Sequence, residues 1–183
     1  IYQLPTPTLS ADETTPYVLV KVRAFGLNRM DLMQREGQYP IPPGASPIMG
    51  VEFSGEVAAL AQHGAPDLNL GDAVFGLAHG GAYAEYIRVP ASMIWKKDAV
   101  MSWEQAAAVP EAYITALQAL HTLSNLNKGE DVLIHAGASG VGLAAIQLAK
   151  YLGARSVYVT AGTSEKMARG THVSASAACR CPT

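Results

Sequence analysis

One segment of the 183-residue chain limits its possible folds more than any other. Residues 132–166 read "VLIHAGASGVGLAAIQLAKYLGARSVYVTAGTSEK". An apolar run, a glycine-rich turn, a periodic apolar stretch and a second apolar run predict strand, turn, helix at about residues 141–152, and strand. Strands joined through a helix in this way run parallel, which places the segment in an α/β domain.

The turn has small residues where dinucleotide-binding turns need them. Gly137, Ser139 and Gly142 occupy the three positions of the pattern G-x-G-x-x-G, and Gly140 and Val141 lie between them and the helix. The first position makes a tight turn, the second lets the backbone approach a pyrophosphate, and the third lets helix and strand pack closely. The helix N–H groups would then face the phosphates, and the serine hydroxyl could donate to one. The alternative is a tight turn that binds nothing.

The residues after the second strand bear on the choice of nucleotide. In NAD-binding units an acidic residue about 20 positions beyond the glycines bonds the ribose 2′-hydroxyl. Here that position is Gly162, followed by Thr163, Ser164 and Lys166. A neutral residue with a nearby lysine suits a negatively charged 2′-phosphate, so the sequence predicts NADPH rather than NADH. The alternative is that Lys166 is an ordinary solvated helix residue.

The rest of the chain divides by pattern. Residues 17–89 contain short apolar runs broken by glycine and proline, which predicts a β-rich domain. Residues 29–35 form a predicted helix that Asn28 can cap. From residue 102 the pattern is helical, and Pro110 either interrupts that helix or restarts it. We predict an α/β chain with three parts: a β-rich domain at 1–109, a helix and partial Rossmann βαβ unit at 110–166, and an atypical tail at 167–183.

Composition and charge exclude several classes of protein. The net charge is −2 and the lysines and arginines are scattered, so no nucleic-acid partner is expected. No apolar run has membrane-spanning length and no signal peptide is visible, which predicts a cytoplasmic protein without a membrane partner. The histidines lack close ligand spacing, and both cysteines lie within the last five residues, so no metal site is expected.

Three motifs resemble those of one enzyme family. They are "GLNRMDLMQREGQYPIPPGASPIMGVEFSG" (26–55), "AAAVPEAYITALQAL" (106–120) and "VLIHAGASGVGLAAIQLAK" (132–150). They are similar to the first-domain, interdomain-helix and cofactor-turn signatures of the zeta-crystallin-like quinone oxidoreductases of the medium-chain dehydrogenase/reductase superfamily. A serine in place of the middle glycine also occurs in that branch. The resemblance covers residues 17–166 and implies a GroES-like catalytic domain followed by a Rossmann domain, with substrate in the cleft between them.

The resemblance also implies an activity. Members transfer a hydride from NADPH to a small-molecule quinone or an activated alkene such as an enone, and full-length members are implied to be homodimers. Zinc-using relatives have cysteine and histidine where this chain has Asn28 and Val51, neither of which is a useful zinc ligand. A zinc-independent enzyme is therefore expected.

Without zinc, charge on the substrate oxygen needs preorganised hydrogen-bond donors. By family position, Asn28 and Tyr39 are the catalytic candidates, and Asn28 and Thr115 are also cofactor-binding candidates near the nicotinamide. Each has a simpler alternative: Asn28 as only a helix cap, Tyr39 as only a loop residue, and Thr115 as ordinary helix surface.

The segment beyond Lys166 departs from the family pattern. Family members continue with further helices and strands, whereas residues 168–183 read "ARGTHVSASAACRCPT", with neither helix nor strand period. We therefore expect a C-terminally truncated member, which could be a short isoform, a sequence artefact or a fragment. The alternative function is a catalytically inactive truncated isoform or fragment. The sequence does not rank quinones against enones as substrates.

Overall fold

The computed structural model describes residues 3–10, 15–61, 67–172 and 175–180. The chain forms two compact units, Ile1–Pro110 and Glu111–Thr183. The strands of the first unit are β1 (Tyr17–Phe25), β2 (Glu52–Leu60), β3 (Ala73–Leu77), β4 (Tyr86–Pro90) and β5 (Ile94–Lys96). Its helices are α1 (Arg29–Arg35), α2 (Trp103–Ala107) and a 3₁₀ turn at Ala91–Met93.

The strands of the first unit form an antiparallel sheet. Within the described residues its order is β4-β1-β2-β3-β5. Alternate residues of β1 point into the core, where Val18 and Val20 are fully buried with Phe53 of β2. Val18 lies opposite Leu60 on one side and Val89 on the other, so β1 is an interior strand. The predicted β-rich domain is confirmed.

The helices begin where the sequence indicates. α1 covers the predicted residues, and α2 starts after Ser102, whose hydroxyl accepts from the Gln105 N–H at 3.1 Å. Pro110 is the first residue of α3 (Pro110–Leu117), where a missing N–H costs nothing, so it restarts the helix. A π-helical segment, Gln118–Leu123, continues α3. None of the helices in the described ranges has the length and apolar character that spanning a membrane requires.

The second unit is an α/β layer. It contains β6 (Asp131–Ile134), α4 (Gly140–Tyr151), β7 (Ser156–Ala161), α5 (Ser164–His172) and β8 (Ala177–Arg180). Among the residues described, the strands are parallel in the order β6-β7-β8. Ile146 of α4 packs fully buried against Val157 and Val159 of β7. This confirms the predicted strand, turn, helix and strand.

The tail contains regular structure although its sequence has neither a helix nor a strand period. α5 extends to His172, and β8 adds a third parallel strand beside β7. Ser176 anchors the new strand, because its N–H donates to the Val157 carbonyl at 2.7 Å and its hydroxyl accepts from the Val157 N–H at 3.0 Å. Pairing of this kind uses backbone groups, so it needs no apolar alternation in the sequence.

Candidate functional site

The glycine-rich turn connects the end of β6 to the start of α4. Gly137 is buried, and a Cβ there would lie 2.7 Å from the Cβ of Val159. A Cβ on Gly142 would overlap the carbonyl oxygen of Ala136. These two glycines are therefore required by the packing of the turn itself. Gly140 differs, because a Cβ there would meet no atom within 4 Å.

Ser139 is the N-cap of α4. Its hydroxyl oxygen accepts from the Gly142 N–H at 3.0 Å, which satisfies one of the N–H groups left open at a helix start. The hydroxyl hydrogen is not used in this bond and can still be donated. The N–H groups of Gly140 and Val141 have no partner within the helix, because they lie in its first turn. The turn therefore presents backbone donors beside the open face of Gly140.

The end of β7 lies next to this turn. The Gly137 N–H donates to the Thr160 carbonyl at 2.9 Å, and His135 Nδ1 lies 3.1 Å from the Thr160 hydroxyl. The turn that follows β7 begins at Gly162, around which there is open space. Because β6 and β7 are parallel neighbours, both turns lie at the same edge of the sheet.

The candidate residues for the 2′-phosphate are in the turn after β7. The Thr163 hydroxyl accepts from the Lys166 N–H at 3.3 Å, so Thr163 caps α5. The side chain of Lys166 is exposed in the first turn of this helix. Residues from the two predicted cofactor motifs therefore lie at one edge of the second unit. The contacts of His135 and Thr160 were not predicted, although their places at the strand ends could have indicated them.

A buried polar cluster surrounds Asn28 in the first unit. Asn28 Nδ2 donates to Glu52 Oε1 at 2.8 Å, and its backbone N–H donates to Asp31 Oδ2 at 2.7 Å. The Tyr83 hydroxyl donates to the same Asp31 oxygen at 2.7 Å. Asp31 and Glu52 are only 5% and 3% exposed, which is unusual for carboxylates. Asn28 is thus the N-cap of α1, as predicted, and its side chain also contacts Glu52.

The cluster keeps Tyr83 protonated. Burial raises the pKa of the Tyr83 hydroxyl well above its usual range, and the bond to Asp31 and the nearby charge of Glu52 add to the effect. The Tyr83 ring packs on Phe25 with centroids 4.6 Å apart. A Cβ on Gly50, whose φ is +90°, would overlap this ring, and a Cβ on Gly26 would overlap the Glu52 carboxylate. Both glycines therefore make room for the cluster.

Neither Asp31 nor Tyr83 is predicted as a site residue from the sequence. Asp31 stands three residues after a helix cap, a spacing that could have indicated its bond back to the Asn28 N–H. Tyr83 is 52 residues away from Asp31 along the chain, and no local pattern connects the two. Tyr39 lies in the loop after α1 with 39% of its surface exposed, and Thr115 is exposed on α3. The contacts of Tyr39 and Thr115 do not test their predicted roles, which stay predictions.

Val51 occupies the position at which zinc-using members of the resembled family have a histidine ligand. Val51 is 6% exposed and offers no donor atom to a metal, and the neighbouring amide nitrogen of Asn28 is bound to Glu52. In the part of the chain that the structure describes, no three His, Cys, Asp or Glu side chains are grouped as a metal site would require. The residues at these two positions therefore do not fit zinc.

A cavity of about 350 Å³ lies elsewhere in the first unit. Its wall includes His79, Arg88 and Tyr17, and the Arg88 guanidinium carbon lies 3.6 Å from the centre of the Tyr17 ring. None of the predicted catalytic or cofactor residues lines it. The cavity is separate from the cluster around Asn28.

Comparisons with known proteins agree with this architecture. Residues 15–99 match the alcohol dehydrogenase GroES-like domain. A quinone oxidoreductase from Coxiella burnetii is 37% identical in sequence, with a TM-score of 0.83 over 96% of this chain and 56% of that protein. A mycobacterial protein whose structure is complexed with NADPH is 32% identical, with a TM-score of 0.86 over 99% of this chain and 54% of that protein.

Large multidomain enzymes are also similar. The lovastatin diketide synthase of Monascus pilosus is 41% identical over 160 residues, which are 86% of this chain and 6% of the synthase. The chain thus spans about half the length of the two solved proteins and a small part of the synthase.

Proposed function

We propose that this chain is an oxidoreductase of the medium-chain dehydrogenase/reductase superfamily that transfers a hydride from NADPH to a small-molecule quinone without zinc. One observation carries the proposal. The turn at residues 137–142 has two glycines that packing requires and a third, Gly140, that packing does not require. A glycine with open space beside it, next to helix N–H donors, suits the close approach of a pyrophosphate.

The second unit supplies the groups that would hold the cofactor. The N–H groups of Gly140 and Val141, with the Ser139 hydroxyl, bind the pyrophosphate. Gly162, Thr163 and Lys166 bind the 2′-phosphate, because position 162 carries no carboxylate and Lys166 has an exposed ammonium group. These assignments follow from the donors and the charge at this edge of the sheet.

The first unit supplies the groups that would act on the substrate. NADPH, when bound, supplies the hydride that reduces the quinone. Asn28 and Tyr39 donate hydrogen bonds to the quinone oxygen that becomes negatively charged, which is the kind of stabilisation that preorganised donors give. Asn28, together with Thr115 of the second unit, is assigned to the nicotinamide end of the cofactor. Glu52 leaves one Asn28 Nδ2 hydrogen for this task, since a single bond uses the other.

The names of the relatives support these choices. Quinone as the acceptor and NADPH as the donor come from the Coxiella and mycobacterial proteins. The similarity to the diketide synthase favours a second candidate, the reduction of an activated alkene such as an enone, by the same hydride chemistry. An inactive isoform or fragment of such an enzyme is the third. We further propose a cytoplasmic location and a homodimer for the full-length enzyme.

A binding and turnover experiment on the purified 183-residue chain tests the proposal. NADPH and NADH would be titrated separately by calorimetry, and NADPH oxidation would then be followed with a soluble para-quinone and with an enone. Preferential binding of NADPH and faster turnover with the quinone support the proposal. Faster turnover with the enone favours the alkene reductase. Binding without any turnover favours the inactive form, and absence of nucleotide binding refutes the cofactor assignment.

A further inference from the structure

We propose that Glu52 is a positioning residue that orients the side-chain amide of Asn28, an inference that rests on the proposed role of Asn28 in the reaction. Glu52 Oε1 accepts from Asn28 Nδ2 at 2.8 Å, and only 3% of the Glu52 residue is exposed. Nothing in the sequence pattern of β2 requires an acidic residue at this buried position, where an apolar side chain would cost less.

The chemistry of the pair determines which way the amide faces. An ionised carboxylate only accepts hydrogen bonds, whereas an amide has a donor end and an acceptor end. The nitrogen of Asn28 must therefore face Glu52. A flipped amide would place its oxygen against the carboxylate, and the two oxygen atoms would repel each other. One Nδ2 hydrogen is held by Glu52, and the orientation of the other is fixed with it.

The backbone of Asn28 is held by a second bond. Its N–H donates to Asp31 Oδ2, and the Tyr83 hydroxyl donates to the same oxygen. The hydroxyl of Tyr83 is protonated at neutral pH, and burial beside Asp31 raises its pKa further. Among the described residues, the other Asp31 oxygen, Oδ1, has no hydrogen-bond partner. Both hydrogen bonds to the Asp31 carboxylate therefore go to Oδ2. Asn28 is held by hydrogen bonds at both its backbone and its side chain.

The close fit around Glu52 supports a fixed orientation. A Cβ on Gly26 would overlap the Glu52 carboxylate, and the Gly26 N–H donates to the Glu52 carbonyl at 3.2 Å. The carboxylate therefore has little room to move. A donor held this rigidly needs little reorganisation when charge develops on a bound oxygen.

Two substitutions of Glu52 and one matched control test the inference. Glu52→Gln keeps an oxygen that can accept from Asn28, whereas Glu52→Met has a similar length and no strong acceptor. Glu56→Gln is the control, because Glu56 lies four residues along β2 and its side chain forms an exposed ion pair with Arg23 at 2.9 Å. The readouts are the Asn28 side-chain amide resonances of the ¹⁵N-labelled full chain, thermal unfolding, NADPH affinity, and kcat and KM with a quinone.

We expect Glu52→Met to shift the Asn28 amide pair, identified by its loss in Asn28→Ala, and to lower kcat by about 10- to 100-fold, a larger factor than the accompanying loss of NADPH affinity. Glu52→Gln should retain most of the turnover, and Glu56→Gln should match the parent chain. If the Asn28 resonances are the same in both Glu52 variants as in the parent, the inference is wrong.

Two further outcomes separate this inference from the proposed function. Should Glu52→Met fail to fold, Glu52→Gln still tests the inference, because it replaces a charged acceptor by a neutral one. A shift of the Asn28 amide pair with turnover largely retained supports the inference, and the absence of any shift refutes it. Should the parent chain oxidise no NADPH with any quinone or enone, the proposed function fails. The amide resonances then still decide whether Glu52 orients Asn28.

Discussion

At the scale of single residues, the choice of nucleotide depends on charge. A carboxylate at the end of β7 would bond a ribose hydroxyl and repel a 2′-phosphate. This chain has Gly162 in place of an acidic residue at that position, and Lys166 places a positive charge four residues further along the chain. The exposure of the lysine fits both a phosphate ligand and a solvated residue, so an affinity measurement is needed.

Lys166→Glu separates these two possibilities. The substitution replaces attraction by repulsion at the proposed 2′-phosphate, so we expect NADPH affinity to fall at least tenfold while NADH affinity changes little. Titration of both nucleotides into both chains gives the ratio. Equal losses for NADPH and NADH would mean that Lys166 does not contact the phosphate.

The metal prediction is also made at this scale. Asn28 and Val51 stand where zinc-using relatives have cysteine and histidine, and neither is a useful zinc ligand. We expect chelators to leave turnover unchanged and elemental analysis to find less than a stoichiometric amount of zinc. One zinc per chain, retained after dialysis against metal-free buffer, would contradict this assignment.

At the scale of elements, the strand-turn-helix unit must meet one requirement for packing and another for ligand binding. Its packing needs glycine at 137 and 142, whereas ligand binding needs an uncovered backbone at 140. Ser139 stabilises the start of α4, because its hydroxyl accepts a hydrogen bond from the backbone there. The unit can therefore fold as a tight turn whether or not a nucleotide binds, which is why the glycine pattern alone does not prove binding.

A pair of alanine substitutions distinguishes a binding turn from a structural one. Gly142→Ala should destabilise the chain by about 1–3 kcal/mol, because the new methyl group would overlap the Ala136 carbonyl. Gly140→Ala has open space and should leave the melting temperature unchanged or slightly higher. It should weaken NADPH binding, because the new methyl group would block the close approach of the pyrophosphate to the backbone. If Gly140→Ala binds NADPH as well as the parent chain does, the pyrophosphate does not lie there.

At the scale of the whole molecule, the second unit has a short parallel sheet. In the described part of the chain, β6 lies at one edge of it, and Leu133 on that strand is 57% exposed. Parallel sheets are normally covered on both faces and extend over more strands. The two solved relatives are nearly twice as long as this chain.

We expect the 183-residue chain to be a weak enzyme compared with a longer version that carries the remaining Rossmann strands of a relative. Hydride transfer requires the nicotinamide and the quinone at near-attack distance, and small displacements cost large factors in rate. The phosphate end of the cofactor needs only the turn between β6 and α4, so binding should survive better than turnover. NADPH oxidation by both chains, measured side by side with light scattering, tests this. Equal kcat values would show that the added strands are not needed.

Much of this architecture is determined by short-range sequence signals. Glycine spacing, the apolar runs on either side of it and the cap at Asn28 all act within a few residues, so they predict α1, β6, α4 and β7 with nearly correct bounds. Pro110 could be placed only as a helix break or start, because both are local consequences of a missing N–H.

Only the tertiary structure decided the remaining features, because they depend on contacts between distant segments. β8 exists because the backbone next to Ser176 pairs with β7, and its small residues give no periodic signal. The cluster around Asn28 brings together residues 24 and 52 positions apart, and the bonds that involve Glu52 and Tyr83 form only once β2 and the loop before β4 have packed beside α1. Hydrogen bonds of buried side chains depend on where the chain returns to itself, which no local pattern of residues contains.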